Sequence, residues 1–212
     1  MKCLKLAALV FTLGIFSLSA QAALISFDPS AQSVNLSDAV SVDIRISGLG
    51  DDIVTAFDLD IVFDASILGF TGFTYGNDLD VLGLGSITST FDFGGGVVNV
   101  FELSLDFDED LMLFQPNDFV LGTMTFDSLA VGTSALSLTN HGVAGEFVFD
   151  PSCGCMVASE LDITLQSGEV RVIDPDSPTG LTEPSTLGLA LLGMLSVLGM
   201  RRRKMHYCCM LD

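Results

Sequence analysis

The 212-residue chain has no tryptophan, two histidines, two tyrosines and only eight basic residues. Six of those eight cations lie at the ends, as Lys2, Lys5, Arg201, Arg202, Arg203 and Lys204, which leaves Arg45 and Arg171 for everything between. Binding to nucleic acid needs basic side chains that displace counterions from phosphates, so no nucleic acid is expected as a partner. All the acidic residues except Asp212 lie between Ala23 and Thr186, and the interior is strongly negative. Charge of that kind suits a solvated exported surface, a calcium ion or contact with a cationic surface. The shortage of histidine constrains chemistry as well. A Ser-His-Asp or Cys-His device would have to use His141, which sits in "TNHG", read here as a turn after an apolar strand and so as a structural position. Zinc takes about four ligands, and two thiols with one distant histidine fall short.

The interior also lacks any apolar pattern of 3.6-residue period sustained beyond two turns. Its period is two. "SVDIRIS" (41–47) and "AFDLDIVF" (56–63) alternate apolar and polar residues, the mark of a sheet with one buried face. Further strands are expected over 32–35, 68–75, 97–105, 119–126, 135–140, 162–166 and 169–173. Between them fall the turn-rich stretches "GLGDD", "YGNDLD", "FGGG", "TNHG" and "QSGE". Short strands with frequent turns argue for one all-β domain, a sandwich or a barrel, over residues 23–173. Sixteen phenylalanines supply its core. "DPDSPTGLT" (174–182) reads as an extended linker.

Long apolar runs occur only at the two ends, and both read as addresses. Residues 1–22 carry a basic start, an apolar stretch from Leu6 to Leu18 and the small-x-small site Ala20-Gln21-Ala22. This is the form of a secretory signal peptide with the mature chain beginning at Ala23; a retained membrane anchor is the alternative. At the other end, the 14 residues Leu187 to Met200 precede the basic cluster. At 1.5 Å per residue they cover about 21 Å of a hydrocarbon core about 30 Å thick, a short transmembrane helix suited to a transient intermediate. Arg201, Arg202, Arg203 and Lys204 act as a stop-transfer cluster. They hold the 205–212 tail in the cytoplasm and place 23–186 outside.

The succession Thr182-Glu183-Pro184-Ser185-Thr186, an apolar segment with recurring Gly and Leu, then the basic cluster, resembles the PEP-CTERM sorting signal of Gram-negative bacteria. That resemblance, over 182–204, implies processing by an integral-membrane cysteine protease of the exosortase type. Thr182 stands where the family has its first proline, and "MHYCCMLD" trails the cluster where the family usually stops. A permanently anchored single-span membrane protein is the rival reading.

A second resemblance covers about 25–173. "AFDLDIVFDASILGF" (56–70), "DFVLGTMTFDSLAVGTSALSLT" (118–139) and "LQSGEVRV" (165–172) are similar to cohesin-like domains. The resemblance implies a jelly-roll β-sandwich, close in fold to carbohydrate-binding modules, that recognises a protein or polysaccharide partner through a sheet face. It transfers no catalytic residue.

Two local features remain. In "DFDEDLMLFQPN", Asp106, Asp108 and Asp110 match positions 1, 3 and 5 of a calcium-binding EF-hand loop, but Leu111 replaces its glycine and Asn117 its glutamate. An irregular calcium site and a solvated turn are the two readings. Cys153 and Cys155 lie outside the membrane, where a disulfide between them is expected, in a ring small enough to be strained; intermolecular linkage is the alternative. The function expected is that of an exported surface or matrix component, not an enzyme. A carbohydrate-active enzyme would need two carboxylates facing each other across a groove.

Overall fold

The computed structural model describes residues 22–175. The apolar part of the signal peptide, the sorting motif, the membrane segment, the basic cluster and the tail lie outside the described residues. Among those described, no helix is long and apolar enough to cross a membrane.

Among the described residues, twelve strands and one helix follow in order: β1 (Ala23–Asp28), β2 (Ala31–Asn35), β3 (Ala39–Ser47), β4 (Ala56–Val62), β5 (Leu68–Tyr75), β6 (Ser86–Gly94), β7 (Val97–Ser104), α1 (Asp108–Phe114), β8 (Phe119–Ser128), β9 (Gly132–Asp150), β10 (Cys155–Glu160), β11 (Ile163–Leu165) and β12 (Gly168–Ile173). One sheet has the order β11-β1-β3-β8-β5, the other β2-β12-β9-β4-β7-β6, with β10 added to the far half of β9. Both ends of the domain are shared between the sheets. β1 pairs in parallel with β11 in the first, and β2 in parallel with β12 in the second, so the terminal strands stitch the sandwich along one edge.

The alternation read in the sequence decides which side of each strand is covered. Val40, Val42, Ile44 and Ile46 of β3 turn inward to meet Phe57, Leu59 and Ile61 of β4 and Val98 and Val100 of β7. Fully burying an aliphatic or Phe side chain is worth about 1.5–3 kcal/mol, and this core is drawn entirely from 23–172, so the unit carries its own core. Phe126 is its aromatic centre, edge-on to Phe63 at 5.0 Å and to Phe70 at 6.4 Å between ring centroids. The "FGGG" turn joins β6 to β7 with Gly94, Gly95 and Gly96 all at positive φ. A β-carbon on Gly96 would run into the Phe63 carbonyl.

The structure adds β1, β6 and β10 to the expected strands and corrects "TNHG". That stretch is no turn: β9 runs through it to Asp150. The β4–β9 register passes from Asp58↔Gly142 to Leu59↔Asn140, so His141 is the extra residue of a β-bulge. β6 went unread because its inward positions are Thr88, Thr90 and Asp92, while its apolar residues face out. The disulfide Cys153–Cys155 forms within the chain, at the β9–β10 turn.

The candidate binding face

The two outer faces of the sandwich differ in chemistry. On the β11-β1-β3-β8-β5 sheet the outward residues of the central strands include Ser41, Asp43 and Arg45 of β3 and Val120, Thr123, Thr125 and Asp127 of β8, with Thr71 of β5 bonded to Thr125. An ion pair on this sheet, Arg45 to Asp28 at 3.8 Å, is an exposed contact of little energetic weight. On the other sheet the registers Asp58↔Phe101, Asp60↔Asn99 and Phe91↔Asn99 place carboxylates, an amide and aromatic rings side by side. Phe91 and Phe93 are 57% and 63% exposed, with ring centroids 4.7 Å apart in an edge-to-face arrangement. Ile87, also exposed, continues this strip along the same edge strand. Beside Phe101, a shallow depression of about 240 Å³ runs between β4, the far half of β9 and β10.

The polar centre of this face is held in one geometry. Asp58 and Asp60 project from the same side of β4, where their like charges repel. The Asn99 amide donates to Asp58 Oδ1 at 2.7 Å and to Asp60 Oδ1 at 2.9 Å, which offsets that repulsion. The bulge brings His141 Nε2 to 2.7 Å from Asp60 Oδ2. This hydrogen bond, with the charge of Asp60, holds the His141 imidazole above its ordinary pKa of 6.5. The same bond, aided by Asn99, outweighs desolvation and holds the Asp60 carboxyl below its ordinary value. The pair is therefore ionised on both sides from below the usual carboxylate range to above the usual histidine range.

Inside the sandwich, Glu102 is 1% exposed. Ser86 donates to its Oε1 at 2.6 Å, while Oε2 has no partner. Burial pushes its pKa up, the Ser86 bond opposes that, and Asp80 adds to it. Nothing in the sequence marked this residue, because a glutamate at an inward position of β7 shows only once the register is known.

The three aspartates of the calcium reading are dispersed by the helix that occupies their loop. Asp106 turns inward and accepts the Leu82 N–H at 3.0 Å. Asp108 accepts the Phe147 N–H at 2.7 Å, and Asp110 lies in the first turn of α1. Among the described residues no three His, Cys, Asp or Glu side chains are grouped as a metal site requires. Of the two readings of this loop, the calcium site at Asp106, Asp108 and Asp110 gains no support from that arrangement. Asp106 and Asp108 instead line a cleft of about 370 Å³ between α1 and the β9–β10 arm.

No protein-family model and no curated protein matches the chain. Its fold does match solved structures. A type I cohesin from a cohesin–dockerin complex of Clostridium thermocellum aligns with TM-score 0.56 and 14% identity, over 72% of this chain and all of that one. The third ScaC cohesin of Acetivibrio cellulolyticus, in complex with a ScaB dockerin, gives TM-score 0.53 and 15% identity over 71% and 99%. The seventh ScaB type I cohesin of Pseudobacteroides cellulosolvens gives 0.52 and 14% over 72% and 91%. At these identities the likeness is one of fold: residues 22–175 form a cohesin-like β-sandwich.

Proposed function

We propose that this chain is an exported protein of the cell surface or extracellular matrix, whose sandwich docks a protein partner of the dockerin kind on the outer face of β6, β7, β4 and β9. The observation that carries the reading is the asymmetry of the two faces. Solvent-facing phenylalanines, a fixed Asp-Asn-Asp-His cluster and a shallow depression lie together on one of them, while the central strands of the other present small polar and charged residues with Val120 and no aromatic ring. Exposed aromatic strips rimmed by polar groups are what protein interfaces use. Two of the solved cohesins that share the fold were crystallised with dockerins, which favours a protein over a polysaccharide. So does the edge-to-face setting of Phe91 and Phe93, at 68° between planes, which offers no flat platform to a sugar ring. The module is read as non-catalytic.

Export rests on the signal-peptide pattern of residues 1–22. It is in keeping with the position of Ala23, the first mature residue, which opens β1 and donates its N–H to Asp162 at 3.0 Å. Sorting by an exosortase-type protease rests on Thr182 to Lys204. A membrane-anchored precursor, held by the C-terminal helix, would then be cut near Thr182 to Ser185. The intact mass of the protein recovered from its host tests this: a product from Ala23 to that region is expected, and one reaching Asp212 would leave a permanently tethered domain.

The docking reading is tested by affinity for the partner. Phe91→Ala with Phe93→Ala should weaken binding about tenfold or more, as loss of aromatic anchors does. Ser41→Ala with Thr125→Ala on the opposite face should leave it unchanged, and the reverse pattern would overturn the assignment.

A further inference from the structure

We propose that the cleft beside α1 is a second recognition site, which takes an arginine side chain of a partner polypeptide. It lies apart from the sheet face and does not depend on that face being the dockerin-type surface. Its walls are of two kinds. Asp106, Asp108, Glu109 and Glu146 bring four carboxylates to a space of about 370 Å³, and among the described residues no basic side chain lines it. Phe107, Met112, Phe147 and Met156, with exposures from 37% to 67%, supply the apolar walls, and Thr55 and Ser104 also border the space.

The cleft is built, not incidental. Leu111 is fully buried and seats the helix. Gln115 clamps its far end, accepting the Val54 N–H at 2.8 Å and donating to the Val54 and Asp78 carbonyls at 2.9 Å. Asp108 ties its first turn to β9 through Phe147. Within this frame Asp106 is only 8% exposed. One of its oxygens accepts from Leu82, while the other, Oδ1, is buried without a partner. An unpaired carboxylate oxygen in such a place is costly until a donor reaches it.

The chemistry of the walls selects the donor. A hard divalent cation needs six or more oxygens at about 2.3–2.6 Å, and here half the lining is carbon and sulfur. A guanidinium matches both halves. Its planar fork donates to carboxylates, its cationic face packs on phenylalanine rings, and its alkyl stem lies along methionine. The size is that of a small-ligand pocket, about 300 Å³ or more.

The test uses residues 22–175 with ¹³C-methyl-labelled methionine, since Met112 and Met156 line the cleft and Met124, buried in the core, serves as control. Titration with Nα-acetyl-arginine amide should shift the Met112 and Met156 methyl signals saturably and leave Met124 in place. The citrulline analogue, neutral and nearly the same shape, should shift neither. Asp106→Asn and, on the exposed rim, Glu146→Gln should each weaken binding by about tenfold. Because Asp106 also holds Leu82, the Glu146→Gln variant keeps the test clear of any folding defect. Absence of a saturable shift, equal binding of citrulline, equal binding of the lysine amide, or a response to calcium chloride in place of arginine would each overturn the assignment.

Discussion

Phenylalanine has two separable uses in this protein, and replacing it in each place by alanine distinguishes them. Phe126 is 1% exposed and packs edge-on against Phe63 and Phe70. Phe→Ala at such a site removes the transfer free energy of the ring and leaves a cavity, a loss of about 3–5 kcal/mol. Native domains are stable by only about 5–15 kcal/mol in total. For a domain of this size each kcal/mol lowers Tm by about 2–4 °C, so the expected fall is about 6–20 °C. Phe91 and Phe93 touch each other and the solvent. Their contact is worth about 0.5–1.5 kcal/mol as a ring pair, and exposed substitutions otherwise stay within about 0.5 kcal/mol. Each single replacement there should move Tm by only a few degrees. Differential scanning calorimetry is the assay, because the chain has no tryptophan to report unfolding by fluorescence. If Phe91→Ala cost as much as Phe126→Ala, the outer rings would be structural and the docking face would lose its main support.

Glu102→Gln should stabilise the protein at neutral pH by about 1 kcal/mol, since it removes a buried charge with one unpartnered oxygen. The folded-state pKa of this acid is raised, so its contribution is most favourable below the ordinary carboxylate value of 4.5 and declines as pH rises through the folded value. Unfolding of wild type and variant by urea at pH 4 and pH 7 should therefore differ more at pH 7, and an equal difference at both would contradict the burial argument. The His141 imidazole, followed by NMR, should titrate above 6.5, and Asp60→Asn should bring it down toward that value. Its raised pKa means that the stability it adds is complete below 6.5 and is lost as pH climbs through the folded value. Gly96→Ala, which combines a φ of +89° with a clash against the Phe63 carbonyl, should destabilise by more than about 2 kcal/mol in the same urea assay.

The strands most legible in the sequence were those where apolar inward residues alternate with polar outward ones. Val40 to Ile46 and Phe57 to Ile61 announce β3 and β4 by alternation, and the expected span of 68–75 coincides with β5. β6 and the far half of β9 were missed for a common physical reason. They lie at an edge or beyond the sandwich, and their apolar residues face outward or sit in the open, so alternation carries no burial signal. The helix was hidden by brevity, because seven residues with one buried leucine give no period to read. The binding face shows the same limit. Asp58 and Asp60 were visible as polar positions of a strand, but Asn99 and His141 join them only through pairing across 39 to 81 residues and through a bulge. Sequence spacing likewise suggested a calcium loop where the backbone turns helical and sends Asp106 and Asp108 to different amides.

The most direct test of the central claim is site-specific photo-crosslinking in the host, with p-benzoylphenylalanine placed at Ser89 on the outer side of β6 or at Ser41 on the outer side of β3. Both positions are exposed, so either probe reaches a partner docked on its own face. Docking on the β6-β7-β4-β9 face predicts a discrete protein adduct from position 89 and none from position 41. Adducts from position 41 alone, or equal adducts from both, would contradict it.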